Sequence, residues 1–133
     1  MDDLVKFVLR KNDKGRQLLF VTFSNREFTM GDEDTGRKII EKYGKILQKF
    51  SNLYIIIDTR QIKSVSPGLG WNLITDLITY NDIARKNIIK TAILWSSKTL
   101  KKFVIDPILC VYNFVVPTEF FEKNDEALEY VQN

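Results

Sequence analysis

Between Ile62 and Leu73 the chain reads IKSVSPGLGWNL, with two serines, a proline and two glycines inside seven residues. Residues of these types serve three chemistries: cradling a phosphate, accepting a regulatory phosphate, or starting a helix. The helix start accounts for every one of them. Ser66 suits the N-cap, and Pro67 suits the first helical position, where its missing N–H would have had no intrahelical partner. The stretch is not a P-loop, because no Gly-Lys-Ser/Thr follows, and GLGWNL lacks the third glycine of a dinucleotide loop. A functional reading stands beside the structural one. A helix that starts after the carboxyl end of a central strand lies where open α/β sheets bind ligands. Its free N–H groups and dipole favour an anion. Ser66 and Ser64 are candidate phosphoacceptors, and a phosphate on either would add about −1.5 to −2 charges there. Gly68, Leu69 and Trp71 complete this candidate ligand- or partner-binding segment.

Asp58 closes the preceding strand, with Arg60 two residues on. An acid at a strand's carboxyl end can be catalytic, but no second acid stands at a telling spacing, and a hydrogen bond to the next loop fits it better; from that edge Asp58 is also a candidate ligand- or partner-binding residue. The chain has no histidine and one cysteine. Ser-His-Asp and Cys-His nucleophiles are therefore excluded, as are His-ligated metals and thiolate zinc sites. No catalytic residue, metal or cofactor is expected. A net charge of +3 is mild, and the basic residues are spread among acids along helix faces. That is no footprint for nucleic acid. No run of about 18 apolar residues is present, so no transmembrane segment is expected. MDDLVKF lacks the basic flank and apolar run of a signal peptide. Cys110 can form no internal disulfide, which suits a reducing, cytoplasmic setting.

The elements that must position these residues can be read from periodicity. Val5, Phe7 and Leu9 alternate with Lys6, Val8 and Arg10 as in a half-exposed strand, and KNDKGRQ supplies a turn into a second strand, LLFVTFS. A short strand is expected at Glu27 to Thr29. Ile39, Tyr43, Ile46 and Phe50, flanked by Ile40 and Leu47, form the apolar stripe of a first helix, and Asp32 to Thr35 supply its acidic, capped start. Leu53 to Ile57 is an unbroken aliphatic run, as expected of a strand covered on both faces. Leu69, Leu73, Leu77 and Tyr80 mark a second helix, and IIKTAILW a further strand. SSKTLKKFVIDPILCVYNFVV reads as a third helix with a serine cap, bent or restarted at Pro107. A strand around Phe120 and Phe121 and a helix from Asn124 complete a β-β-α-β-α-β-α-β-α order. The expected fold is α/β, one domain over 1–133. An N-terminal antiparallel hairpin leads into a mixed, largely parallel sheet of 4–5 strands with about four helices.

The third helix is unusual. From Phe103 to Val116 its only polar side chains are Asp106, Tyr112 and Asn113. A helix packed on one face of a sheet should show a polar side. Four covers remain open: the last helix of the chain, a second copy in a homodimer through residues 100–116, a protein partner, or a lipid-like ligand or membrane surface. Phe103 and Tyr112 are candidate contacts.

The element order and three local patterns resemble the STAS domains, in particular their SpoIIAA-like branch, the fold of anti-sigma-factor antagonists. The patterns are YIIIDTRQIKSVSPGLGWNL, TAILWSSKTLKKFV and VVPTEFFEKNDEALEYV, and with the element order the resemblance spans Leu4 to Val131, nearly the whole chain. The resemblance implies a regulatory, non-enzymatic module working by protein–protein contact around Ser64 to Trp71. In phosphoregulated STAS proteins the acceptor hydroxyl directly precedes the Gly-Leu. Here Pro67 holds that place, Val65 stands where an acid is usual, and Ser66 and Ser64 fall one and three residues early. SpoIIAA-like domains are also similar in outline to CRAL-TRIO lipid-binding domains. That similarity implies the alternative of a small hydrophobic ligand, with Trp71, Trp95, Phe103, Tyr112 and Phe114 as lining residues. Hydrolase or transferase activity is the least expected.

Overall fold

A computed structural model describes residues 5–24, 27–28, 33–62, 64–65, 67–98, 101–111 and 114–132, and side-chain surroundings for all of these except 27–28, 33, 64–65, 67–70 and 103. Strands β1 (Val5–Lys11), β2 (Gln17–Phe23), β4 (Leu53–Asp58), β6 (Ile88–Leu94) and β7 (Thr118–Phe121) form one sheet in the order β1-β2-β4-β6-β7. β1 and β2 are antiparallel and the other neighbours are parallel, as the hairpin and the crossover pattern predict. The hairpin turn is shaped by Asn12, whose Oδ1 accepts from the N–H groups of Lys14 and Arg16, both at 2.9 Å. Gly15 there has φ 77°, a left-handed conformation that costs glycine little.

Helices α1 (Glu33–Lys49) and α2 (Pro67–Ile83) cover one face of the sheet. Ile39, Ile40, Tyr43 and Leu47 of α1, with Leu73 and Leu77 of α2, are buried against Leu19, Val21, Ile55, Ile57 and Ile93. The C-terminal helix α4 (Asn124–Gln132) covers the opposite face, where Ala127 and Val131 meet Leu18, Ile56, Ala92 and Leu94. Leu53, Ile55 and Ile57 thus face one helix layer and Ile56 the other. This explains why β4 is aliphatic without alternation. α1 and α2 approach closely at Gly44, where an added Cβ would lie 2.7 Å from Tyr80 Cε1.

A polar chain runs through this core. The hydroxyl of Tyr43 donates to Asn81 Oδ1, and Asn81 Nδ2 donates to Thr91 Oγ1 at 3.0 Å. All three residues are buried. Burial pushes the Tyr43 phenol above its ordinary value of 10.0. Its folded-state pKa therefore exceeds its unfolded value, so its contribution to stability is complete below pH ~10 and declines as pH rises above that. We expect the parent to lose stability between pH ~10 and 11 by about 1 kcal/mol more than Tyr43→Phe does, as read by urea unfolding at each pH. Equal slopes for the two proteins would contradict a buried, proton-retaining phenol.

Two expectations need correction. The small elements Glu27–Phe28 (β3) and Ser64–Val65 (β5) pair in parallel as a separate two-stranded sheet, so Ser64 lies in a strand and not in an open loop. The third helix changes winding beside Pro107, as the bent or restarted reading expects, but it does not extend to Val116. Lys101–Ile105 is a π-helical turn, Asp106–Val111 (α3) is α-helical, and residues 114–117 are not helical. The change of winding falls just before Pro107, which has no N–H to continue the α-helical ladder. Nor is this segment covered all round. Val104, Ile105 and Ile108 are buried, but Leu109 is 50% exposed, Val111 67% and Val115 57%. α4 lies on the far side of the sheet and cannot cover them.

Candidate functional site

The parallel strands β4 and β6 end side by side at Asp58 and Leu94, and the predicted binding segment leaves the sheet from that edge. The loop after β4 is pinned there by several hydrogen bonds. Thr59 donates to the Leu94 carbonyl twice, from its N–H at 2.9 Å and from Oγ1 at 2.6 Å. Ser96 Oγ donates to the Arg60 carbonyl at 2.8 Å, and the Ile62 N–H reaches the Thr59 carbonyl at 3.2 Å.

Asp58 has the structural role that its position allowed. Its Oδ1 accepts from both the N–H and Nε of Arg60 at 3.0 Å, and its Oδ2 accepts from Arg60 Nη2 at 2.8 Å. Such a fork is a strong, directional form of ion pair. The hydrogen bond to Asp58 raises the Arg60 guanidinium pKa further. A carboxylate with both oxygens engaged by one fixed cation is poorly placed to shuttle protons. Among the described residues no group of three His, Cys, Asp or Glu side chains could hold a metal ion.

From this pinned loop the chain passes through β5 into α2, whose first residue is Pro67, as the N1 reading of that proline predicts. Ser66 and Tyr112 lie outside the described residues. Gly68 and Leu69 lie in the first turn of α2, and Phe103 lies in the π-helical turn. Trp71 is half-buried and packs on the cluster formed by Ile74, Ile78, Trp95, Val104, Ile105 and Ile108. That cluster is what joins α2 to the third helical segment. The cluster sets Trp71 of α2 beside Trp95, just after β6, and beside the π-helical turn, while Asp58 ends β4 next to Leu94.

Sequence reasoning missed the role of Thr59 and Ser96 in fixing the loop. Of the two serines that start the third helix, Ser97 accepts from the Lys101 N–H through its main-chain carbonyl at 3.0 Å, while the Ser96 hydroxyl turns back to Arg60. Also unassigned were the cations beside the Trp71 and Trp95 cluster. Lys98, Lys101 and Lys102 are exposed; Lys101 Nζ stands 3.3 Å from Asp106 Oδ2 and 6.0 Å from the centre of the Trp95 ring. The signal was in the sequence: KTLKK adjoins the conspicuous apolar run.

No protein-family model matches the chain, and no curated protein matches it by sequence. Solved structures do match it over nearly its whole length. One is an uncharacterised protein of the DUF3478 family with a SpoIIAA-like fold from Shewanella loihica PV-4, at 13% identity and a TM-score of 0.57, covering 96% of this chain and 94% of that one. Another is the anti-sigma factor antagonist SpoIIAA in its unphosphorylated form, at 15% identity and a TM-score of 0.56, covering 96% of this chain and 98% of that one. The fold is therefore SpoIIAA-like, as the ordered motifs imply. Among the described residues no helix is long and apolar enough to cross a membrane.

Proposed function

We propose that this SpoIIAA-like chain is a non-enzymatic regulatory module that works by contacting a protein partner. The contact surface is the segment Ser64–Trp71, together with the outward side of the third helical segment. The observation that carries this reading is that Leu109 and Val111, on the helical segment beside α2, and Val115 beyond it are each at least half exposed. Three large apolar side chains left exposed within seven residues suit an interface. The chemistry of the edge supports binding over catalysis, since Asp58 is neutralised by Arg60. The fold neighbour described as an anti-sigma factor antagonist supports a regulatory role.

The alternative is a small hydrophobic ligand held by the same helix. It has less support, because Val104, Ile105 and Ile108 already fill the inner side against Ile74, Ile78 and Trp95. Native mass spectrometry separates the two: a ligand gives a mass above that of the bare chain.

Ser64 and Ser66 are where a phosphate would act on this surface, by adding negative charge before α2. Ser64→Asp and Ser66→Asp are expected to change partner affinity by about tenfold or more, and Ser→Ala to leave it within about twofold. Titration of the captured partner by calorimetry measures both. Indistinguishable affinities for the Asp and parent proteins would remove the serines from the proposed surface.

A further inference from the structure

The face of the sheet that carries α4 is only half covered. The pairs Lys6–Thr22, Val8–Phe20 and Arg10–Leu18 place Lys6, Val8 and Arg10 on the same side as Leu18 and Phe20, which is the α4 side. α4 packs on β4, β6 and β7. The β1–β2 half is left as a shallow hollow of about 250 Å³ lined by Val8, Arg10, Phe20 and Thr22. Its floor is the half-buried Val8 and Phe20, and its rim is the exposed cations Lys6 and Arg10. The other half of this face is raised by α4 and carries an excess of the opposite charge, with Lys90 held on the Tyr130 carbonyl and ring and Lys123 exposed before the helix. Asp125, Glu126 and Glu129 are exposed along the helix, and Glu119 is exposed on β7 beside it.

We infer that this face is a self-complementary interface, and that its partner is a second copy of this chain. A two-fold axis parallel to the strands turns each bare, basic half onto the raised, acidic half of the other copy. An axis across the strands would set α4 on α4 and acid on acid. The spacing allows the first arrangement. The centre of β1–β2 lies two and a half strand positions from β6, the middle of the strands that α4 packs on, about 12 Å. The two α4 helices would then fit side by side in one layer, a little wider apart than the roughly 8–10 Å of close-packed helices. Lys6 and Arg10 of each copy face Asp125, Glu126 and Glu129 of the other, and symmetry forms every pair twice, as in isologous dimers generally. Like charges block the competing arrangements, in which bare half meets bare half or helix meets helix. This inference is independent of the partner surface proposed above, which lies at the carboxyl edge and on the opposite face.

Sedimentation equilibrium at low and high salt tests it, using the parent, Lys6→Glu/Arg10→Glu and Glu126→Lys/Glu129→Lys. The parent is expected to sediment as a dimer that weakens with salt, since exposed charge pairs are screened. Each reversal should raise the dissociation constant by about tenfold or more. An equimolar mixture of the two reversed proteins should recover the dimer, because the reversed patch of one then meets the reversed helix of the other. All the altered side chains are exposed, and circular dichroism melts verify the fold. If a double variant does not fold, the single changes Arg10→Glu and Glu129→Lys replace it in the same mixing experiment. A monomeric parent, a dimer that survives both reversals, or reversed proteins that stay monomeric when mixed would each overturn the inference.

Discussion

Asn81→Leu is expected to lower stability by about 3 kcal/mol, a fall in Tm of roughly 10 °C for a domain of this size. The leucine fits the apolar surroundings, so the loss comes from what it abandons. Tyr43 OH loses its acceptor and Thr91 Oγ1 loses its donor, and both groups are buried. A buried hydroxyl without a partner costs about 1–3 kcal/mol, whereas removing all partners together costs little. The triple change Tyr43→Phe, Asn81→Leu, Thr91→Val should therefore be more stable than Asn81→Leu alone. Thermal melts of the four single and triple variants measure this. An Asn81→Leu protein within about 1 kcal/mol of the parent, or a triple variant worse than the single, would show that the chain of hydrogen bonds does not hold α1, α2 and β6 together.

The second large effect lies at the surface. Leu109→Asp with Val111→Asp is expected to weaken partner binding by about 100-fold or more, the loss typical of removing apolar anchors at an interface centre. Stability should stay within about 0.5 kcal/mol, because exposed positions contribute little to folding. Leu109 and Val111 are at least half exposed while Ile108 beside them is fully buried, so the two effects separate along one helix turn. Calorimetric titration paired with melts reads both quantities. Unchanged affinity would take the apolar row out of the interface, and a large fall in Tm would make it part of the core instead.

These two cases differ in how far the sequence revealed them. The elements with strong signals were legible: the stripe of α1, the unbroken run of β4, and the start of α2 at Pro67. The two-residue strand β3 was expected near Glu27, but its partner β5 was not, because alternation needs more than two residues to register. Asn81 escaped notice, although it stands four residues after Leu77, on the buried side of α2, where a polar residue calls for a partner. The third helical segment was legible as apolar but not as exposed. An all-apolar sequence does not say which side meets solvent. That depended on α4 crossing to the other face of the sheet, a tertiary fact. The hydrogen bond from Asp58 to its own loop was legible from its place at the strand end, and the group that makes it, Arg60, is two residues away.

The central claim is that the carboxyl-edge surface and the apolar row beside it meet a protein partner. Site-specific photo-cross-linking in an extract of the source cells tests it most directly. One copy carries a photoreactive residue at Val111, and a control carries it at Ile83, which is 73% exposed at the far end of α2. The account predicts a discrete protein adduct from position 111, lost in the presence of excess unlabelled parent and absent from position 83. No adduct at 111, or the same adducts from both positions, would contradict it.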